Sequence, residues 1–320
     1  MLRRDLLVLL VLLLLPLDAA LAPSAARADS IWEKAKRPAE KLSADEIHKT
    51  AANLYHRARP YKLEDPQKGG MSYSALLGAL SLLQAHGAST SADPRLRYDL
   101  GLVLAKMRRW GEAAPALESA LALSPQHPFA EEGSFELAIC YSHLGRHEDE
   151  ERAYLVALGV TDRRGNKALI CSNLAESRMA QGKLAAALDA AEQALELDPD
   201  LASARYNQAI ILDRAGDPSG ALEAAKHALE LDPDADSLVR DGVFFEPAYE
   251  KHWYVALREL ALAERTLGDV RKFHLMAALT FYDKWLAEAD AGDRFRPRAL
   301  EAVARLEKQL KLKPAVKAKK

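Results

Sequence analysis

His143 and His147 stand four residues apart and are followed at once by Glu148, the spacing of a metal pair on one helix face. Gly145 lies between them, however, and a glycine there reads as a helix end that divides the pair between two elements. The run Glu148-Asp149-Glu150-Glu151 has the carboxylate density that general acid–base chemistry uses. In the first turns of a helix the same carboxylates meet the positive end of the helix dipole, worth ~0.3–1 kcal/mol each when exposed, and that is the reading adopted here. Cys140 and Cys171 could pair in an oxidising compartment; on two separate helices they serve equally as small buried residues. Asp217-Pro218-Ser219-Gly220 and Lys68-Gly69-Gly70 contain glycine without the spacing of a phosphate loop or a nucleophile elbow, and the sequence contains no HExxH or CxxC. The residues point to no catalytic, metal or cofactor site, so no enzyme is expected.

The elements that position these residues are helical. Of the 320 residues 49% are hydrophobic but only 7% aromatic, with Ala and Leu dominant and β-branched residues few, which favours helices over sheet. Apolar content is too high for a disordered chain. The net charge of −2 offers no general attraction to nucleic acid or to an anionic membrane. Arg3 and Arg4 precede an apolar run from Leu6 to Leu15, then Pro16 and small residues ending in Ala26-Arg27-Ala28. That order is a secretory signal peptide over 1–28 with cleavage after Ala28. Ten apolar residues do not reach across ~30 Å of hydrocarbon, so no transmembrane span is expected after cleavage. The paired arginines leave twin-arginine export open beside the general route. Cleavage removes three of 44 basic and two of 46 acidic residues, for a mature net charge of −3.

Four windows then repeat one pattern. The first, from Pro94, has Leu100-Gly101, Trp110, Ala113, Ala120-Leu121 and Ser124-Pro125. The second, from near Glu131, has Leu137-Ala138, Leu144-Gly145, Tyr154 and Ala157-Leu158. In the third come Leu174-Ala175, Gln181-Gly182, Ala187, Ala194-Leu195 and Asp198-Pro199. The fourth has Gln208-Ala209, Ala215-Gly216, Ala221, Ala228-Leu229 and Asp232-Pro233. Gly101, Ala138, Ala175 and Ala209 are separated by 37, 37 and 34 residues.

This period and skeleton resemble the tetratricopeptide repeat, a helix–turn–helix unit. The resemblance covers 94–235 and implies an all-α, right-handed α-solenoid of antiparallel helix pairs. Small residues at Gly101, Ala138, Ala175 and Ala209 would let the first helix of each pair approach the second. A second small slot at Ala120, Ala157, Ala194 and Ala228 would admit the next pair. Gly145, Gly182 and Gly216 would close the first helices, and Pro125, Pro199 and Pro233 would stop the second ones. Glu150 replaces the family's Ala, which predicts a loosened second repeat, and Arg108-Arg109 replaces the turn glycine of the first. The resemblance further implies an inner groove lined by the first helices, with Tyr98, Leu102, Phe135, Ile139, Tyr206 and Ile210 as its apolar lining and Ser172 and Glu176 completing the row. Arg95, Lys106, His143, Met179, Asp213 and Arg214 would flank it. The Lys/Asn/Arg set with which some relatives clamp a terminal carboxylate is missing. The alternative for the six apolar residues is plain inter-helix core.

Outside the array, Ser43-Ala44-Asp45-Glu46 opens a helix within an N-terminal helical segment, 29–93, that also holds Met71–Ala85. An irregular insertion, 236–252, follows the fourth repeat. A divergent helix pair with an overlong second helix and a capping helix fill 253–312, and a Lys-rich tail occupies 313–320. The expected function is that of a non-enzymatic interaction scaffold of the bacterial cell envelope, exported to the periplasm. It would bind a protein or peptide segment in an apolar groove that the N-terminus, the Val243–Phe245 loop or the terminal helix can cover. A self-associating assembly protein is the alternative. An enzyme with a site in 236–296 is the remote one, and it would need a deep polar pocket there.

Overall fold

The computed structural model describes residues 42–58, 70–233, 245 and 247–312, and every regular element among them is helical. The chain divides into two units, Met1–Glu46 and Ile47–Lys320. In the first, Ser43 N–H donates to Glu46 Oε2 at 2.8 Å and Glu46 N–H to Ser43 Oγ at 3.3 Å. This is the expected capping box, and it opens α1 (Ala44–Arg57). The expected signal peptide, the Lys-rich tail and most of the 236–252 insertion lie outside the described residues.

In the second unit α2 (Gly70–Ala85) precedes five helix pairs: α3 (Pro94–Lys106) with α4 (Trp110–Leu123), α5 (Ala130–His143) with α6 (His147–Val160), α7 (Arg164–Ala180) with α8 (Leu184–Leu197), α9 (Ala202–Ala215) with α10 (Pro218–Leu231), and α11 (Lys251–Glu264) with the long α12 (Gly268–Glu288). The last helix, α13 (Arg296–Gln309), packs on α12. From α2 onward each helix packs on the next in sequence, and the first helices also touch one another, α3 on α5, α7 on α9 and α9 on α11. The result is an all-α solenoid of antiparallel helix pairs, in which contacts run between neighbours along the array.

Small residues set the spacing. Ala113, Ala120, Ala138, Ala157, Ala175, Ala187, Ala194, Ala221 and Ala228 are all fully buried. At Gly101 a Cβ would lie 2.5 Å from Leu117 Cδ2, so the first pair closes to a distance that excludes even a methyl group. Gly145, Gly182 and Gly216 take φ of 67°, 77° and 95° at the ends of α5, α7 and α9. In the first repeat Arg108 adopts this left-handed turn conformation, at φ 60°, where a side chain carries a steric cost. Asp93 and Asp217 cap α3 and α10, accepting from the N–H of Arg95 and of Gly220, each with proline in the first turn. Glu150 is accommodated without interrupting α6: it is buried and its Oε2 lies 2.9 Å from His147 Nδ1.

Candidate functional site

The chemistry read into the 143–151 segment resolves into structure. His143 stacks on Trp110 with ring centroids 4.2 Å apart, while His147 is held by Glu150, so the two histidines face different partners. Among the described residues no His, Cys, Asp and Glu side chains cluster as a metal site. Glu151 accepts from Arg178, Gln181 and Lys183 in the next pair, and these hydrogen bonds and charges hold its carboxyl down to about 2. Cys140 and Cys171 are buried free thiols, and burial pushes Cys140 up to about 12.

The six residues expected to line an open groove occupy other places. Tyr98 and Tyr206 are 0% and 2% exposed, and they perform one task at equivalent positions. Tyr98 O–H donates to the carbonyl of Ser124 at 2.9 Å, and Tyr206 O–H to that of Asp232 at 3.0 Å; Ser124 ends α4 and Asp232 ends α10. Each hydroxyl thus binds the carbonyl of the residue that ends a second helix, and burial pushes both phenols up to about 12. The Tyr98 ring also fills a hollow left by Gly133 of α5, where a Cβ would come within 2.6 Å of it. Leu102, Ile139 and Ile210 are buried as well. Only Phe135 is half-buried, edge-on to Tyr154 at 5.8 Å. Five of the six are therefore interior, which corrects the expectation of an apolar groove open to water. Sequence reasoning passed over Gly133, although a glycine inside a helix, costing ~1 kcal/mol in propensity, is a signal of close approach.

At α3 and α5 the face of the first helices is covered by the chain's own α1, from Ile47 onward. His48 Nδ1 lies 2.8 Å from Asp99 Oδ2, and the His48 ring meets Phe129 at 5.6 Å. Tyr55 O–H donates to Glu132 at 3.2 Å, and Lys106 donates to the Tyr55 carbonyl at 3.0 Å with its ammonium 3.9 Å above the Tyr55 ring. Ala51 and Ala52 face Leu102 and Val103 across a residual cavity of about 40 Å³. Burial raises Asp99 to about 6 against the opposing influence of His48. Next along, Glu136 has no hydrogen-bond partner among the described residues, and burial beside Glu132 pushes it up to about 7.

From α7 to α11 the first helices are joined by a buried polar relay. Asn207 Nδ2 donates to the Ser172 carbonyl at 3.0 Å, and Tyr254 O–H donates to Asn207 Oδ1 at 2.7 Å. Asp213 accepts from Trp253 Nε1 and from Tyr282 O–H, both at 2.9 Å, and so ties α9 to the last pair. The neighbouring Arg214, with 2% side-chain exposure, pairs with Glu250 and lies over Trp253 and Phe295 at 4.5 and 4.2 Å from the ring centroids. Asp213 and Arg214, read from sequence as groove flanks, are therefore joints of the array.

Beside that joint a cleft of about 120 Å³ opens between α7, the turn at Pro247–Glu250 and the segment Asp293–Phe295. Glu176, Met179, Arg214, Tyr249, Glu250 and Tyr254 contribute to its walls. Glu176 has no hydrogen-bond partner among the described residues, and burial near Glu150 and Glu250 pushes its carboxyl well above the usual range. The 236–296 region thus contributes to a polar cleft with ionisable walls, and no described Ser, Thr or Cys lines it.

The tetratricopeptide repeat model matches residues 98–167 and 172–236. The chain carries tetratricopeptide repeats. Solved structures similar to it include "MamA 41-end from Desulfovibrio magneticus RS-1", 17% identical over 60% of this chain and 98% of that one, with a TM-score of 0.48. Another is "YrrB: a TPR protein with an unusual peptide-binding site", 17% identical over 62% of this chain and 100% of that one, with a TM-score of 0.46. No curated protein matches the chain.

Proposed function

We propose that the protein is a non-enzymatic interaction scaffold of the bacterial cell envelope that receives a partner's peptide segment on the face of its first helices. The observation that carries this reading is that face itself: repeats of an interaction architecture with a cleft and two carboxylates, Glu136 and Glu176, that no described residue neutralises by hydrogen bonding. Apolar contact is concentrated at the half-buried Phe135, since the other expected apolar groove residues and Met179 are interior. The envelope setting rests on the charged start, short apolar run and Ala26-Arg27-Ala28 exit of the N-terminus. No described helix is long and apolar enough to cross a membrane. The test is crosslinking of the mature chain in its own envelope followed by mass spectrometry. A distinct protein joined near Phe135 or Glu176 is expected; crosslinks confined to other faces would overturn the reading.

A second reading has its own observation. Leu267, Val270, Phe273 and Met276 form an exposed apolar stripe along the start of α12, with Phe273 66% exposed. A stripe of this kind suits self-association through the last helix pair. Light scattering distinguishes the two: a mass that rises with concentration and returns to the monomer in Phe273→Ser favours assembly.

A further inference from the structure

We infer that the cleft between α7, the Pro247–Glu250 turn and the Asp293–Phe295 segment is the seat for one basic side chain, lysine or arginine, of an extended partner segment. The inference rests on the scaffold reading above and names the residue of the partner that would be recognised. Three observations converge. The first is size: about 120 Å³ accommodates one side-chain head and not a folded element.

The second is charge. Glu176, Glu250 and Asp293 face the cleft with Arg214 and Arg294. Glu250 is committed to Arg214, and Asp293 accepts from Tyr249 O–H at 3.4 Å. Glu176 alone among these acids has no hydrogen-bond partner in the described residues, so the walls hold one acidic group in excess of their arginines. The third is an independent orphan. Arg214 is almost wholly buried, and its Nε is a donor without an acceptor. A buried donor left in this state is costly, and the cleft that Arg214 lines is the place from which an acceptor can come. An extended basic residue supplies both complements, a cation for Glu176 and a backbone carbonyl for Arg214. The Tyr249 and Tyr254 side chains add aromatic walls of the kind that receive a cationic head group.

The electrostatics add a signature. Glu150 and His147 face Glu176 from α6, Arg214 from α9, Glu250 from the turn, and Asp293 and Arg294 from the last segment. Burial beside Glu150 and Glu250 pushes the Glu176 carboxyl well above the usual range. Seating a cation favours the carboxylate, so binding displaces protons and strengthens as pH rises.

The experiment titrates the full mature chain with the blocked tripeptides Gly-Lys-Gly and Gly-norleucine-Gly. Amide NMR shifts at Gly182, Gly216 and Arg294 report binding, and calorimetry in phosphate and in Tris reports the proton. The lysine peptide is expected to shift these amides and release a proton, the norleucine peptide to leave them unmoved, and Glu176→Gln to weaken the lysine peptide at least tenfold. Glu148→Gln, an exposed carboxylate on α6, serves as the matched control and binds as the wild type does. Retained spectral dispersion shows that Glu176→Gln is folded. Equal binding of both peptides, no shift up to the solubility limit, or an undiminished affinity in Glu176→Gln overturns the inference. Crosslinking of a partner at Phe135 together with any of those results leaves the scaffold reading standing, whereas loss of the crosslinks removes that reading as well.

Discussion

The face of the first helices is covered by the chain itself at two ends, and the two covers differ in how they treat charge. Over α3 and α5, helix α1 brings partners to the acids it meets: His48 to Asp99 and Tyr55 to Glu132, with Lys106 closing on the Tyr55 carbonyl. Beyond α7, the Pro247–Glu250 turn and Phe295 settle on Arg214, pair one of its terminal nitrogens with Glu250, and leave Glu176 facing a cleft. The first cover is a seal of polar contacts to Asp99, Glu132 and Lys106. The second is an aromatic and ionic joint with one vacancy of charge.

The largest effect expected from this contrast is at the second end. Arg214→Ala strands Glu250 beside Glu176 and removes the packing on Trp253 and Phe295, so the chain should lose ~3–5 kcal/mol, read as a fall in the urea midpoint. Between the covers, Glu136 makes a pH prediction. Glutamate in the unfolded chain ionises near 4.5, while the buried Glu136 holds its proton up to about 7. In that window the folded state binds a proton that the unfolded state has lost, so stability falls as pH rises from 4.5 to 7, and Asp99, raised to about 6, acts in the same direction. Glu136→Gln should remove about half of this fall and raise stability at pH 8 by about 2 kcal/mol; an unchanged pH profile contradicts the assignment.

Much of the array was readable from sequence because its determinant is local. Steric closeness demands Ala or Gly at fixed intervals, and Ala138, Ala175 and Ala209 are buried where the period places them. The face of the first helices was less readable. Tyr98 and Tyr206 stand at positions that resemble groove lining, yet their roles depend on carbonyls 26 residues further on, a distance the local pattern does not encode. Glu176 was placed on that face, but its lack of a partner depends on Arg214 choosing Glu250, 36 residues further along. The docking of α1 is likewise nonlocal, since His48 and Asp99 are 51 residues apart.

Two smaller effects sharpen the contrast. His48→Ala should cost about 1 kcal/mol globally and appear chiefly as faster amide exchange in 47–57, with exchange in 247–254 unchanged; equal acceleration at both sites would mean that the covers are not independent. Arg108→Gly should stabilise the first repeat by up to ~1 kcal/mol, because it relieves a left-handed φ that the other turns give to glycine.

The central claim is that a partner is received at the unmatched end of this face. It is tested most directly with a photocrosslinking residue placed in living cells at Ala180, in the cleft wall, or at Leu155, exposed on α6. The account predicts a crosslink to a distinct protein from Ala180 that Glu176→Gln diminishes, and none to that protein from Leu155. The same adduct from both positions, or one from Ala180 indifferent to Glu176→Gln, would contradict it.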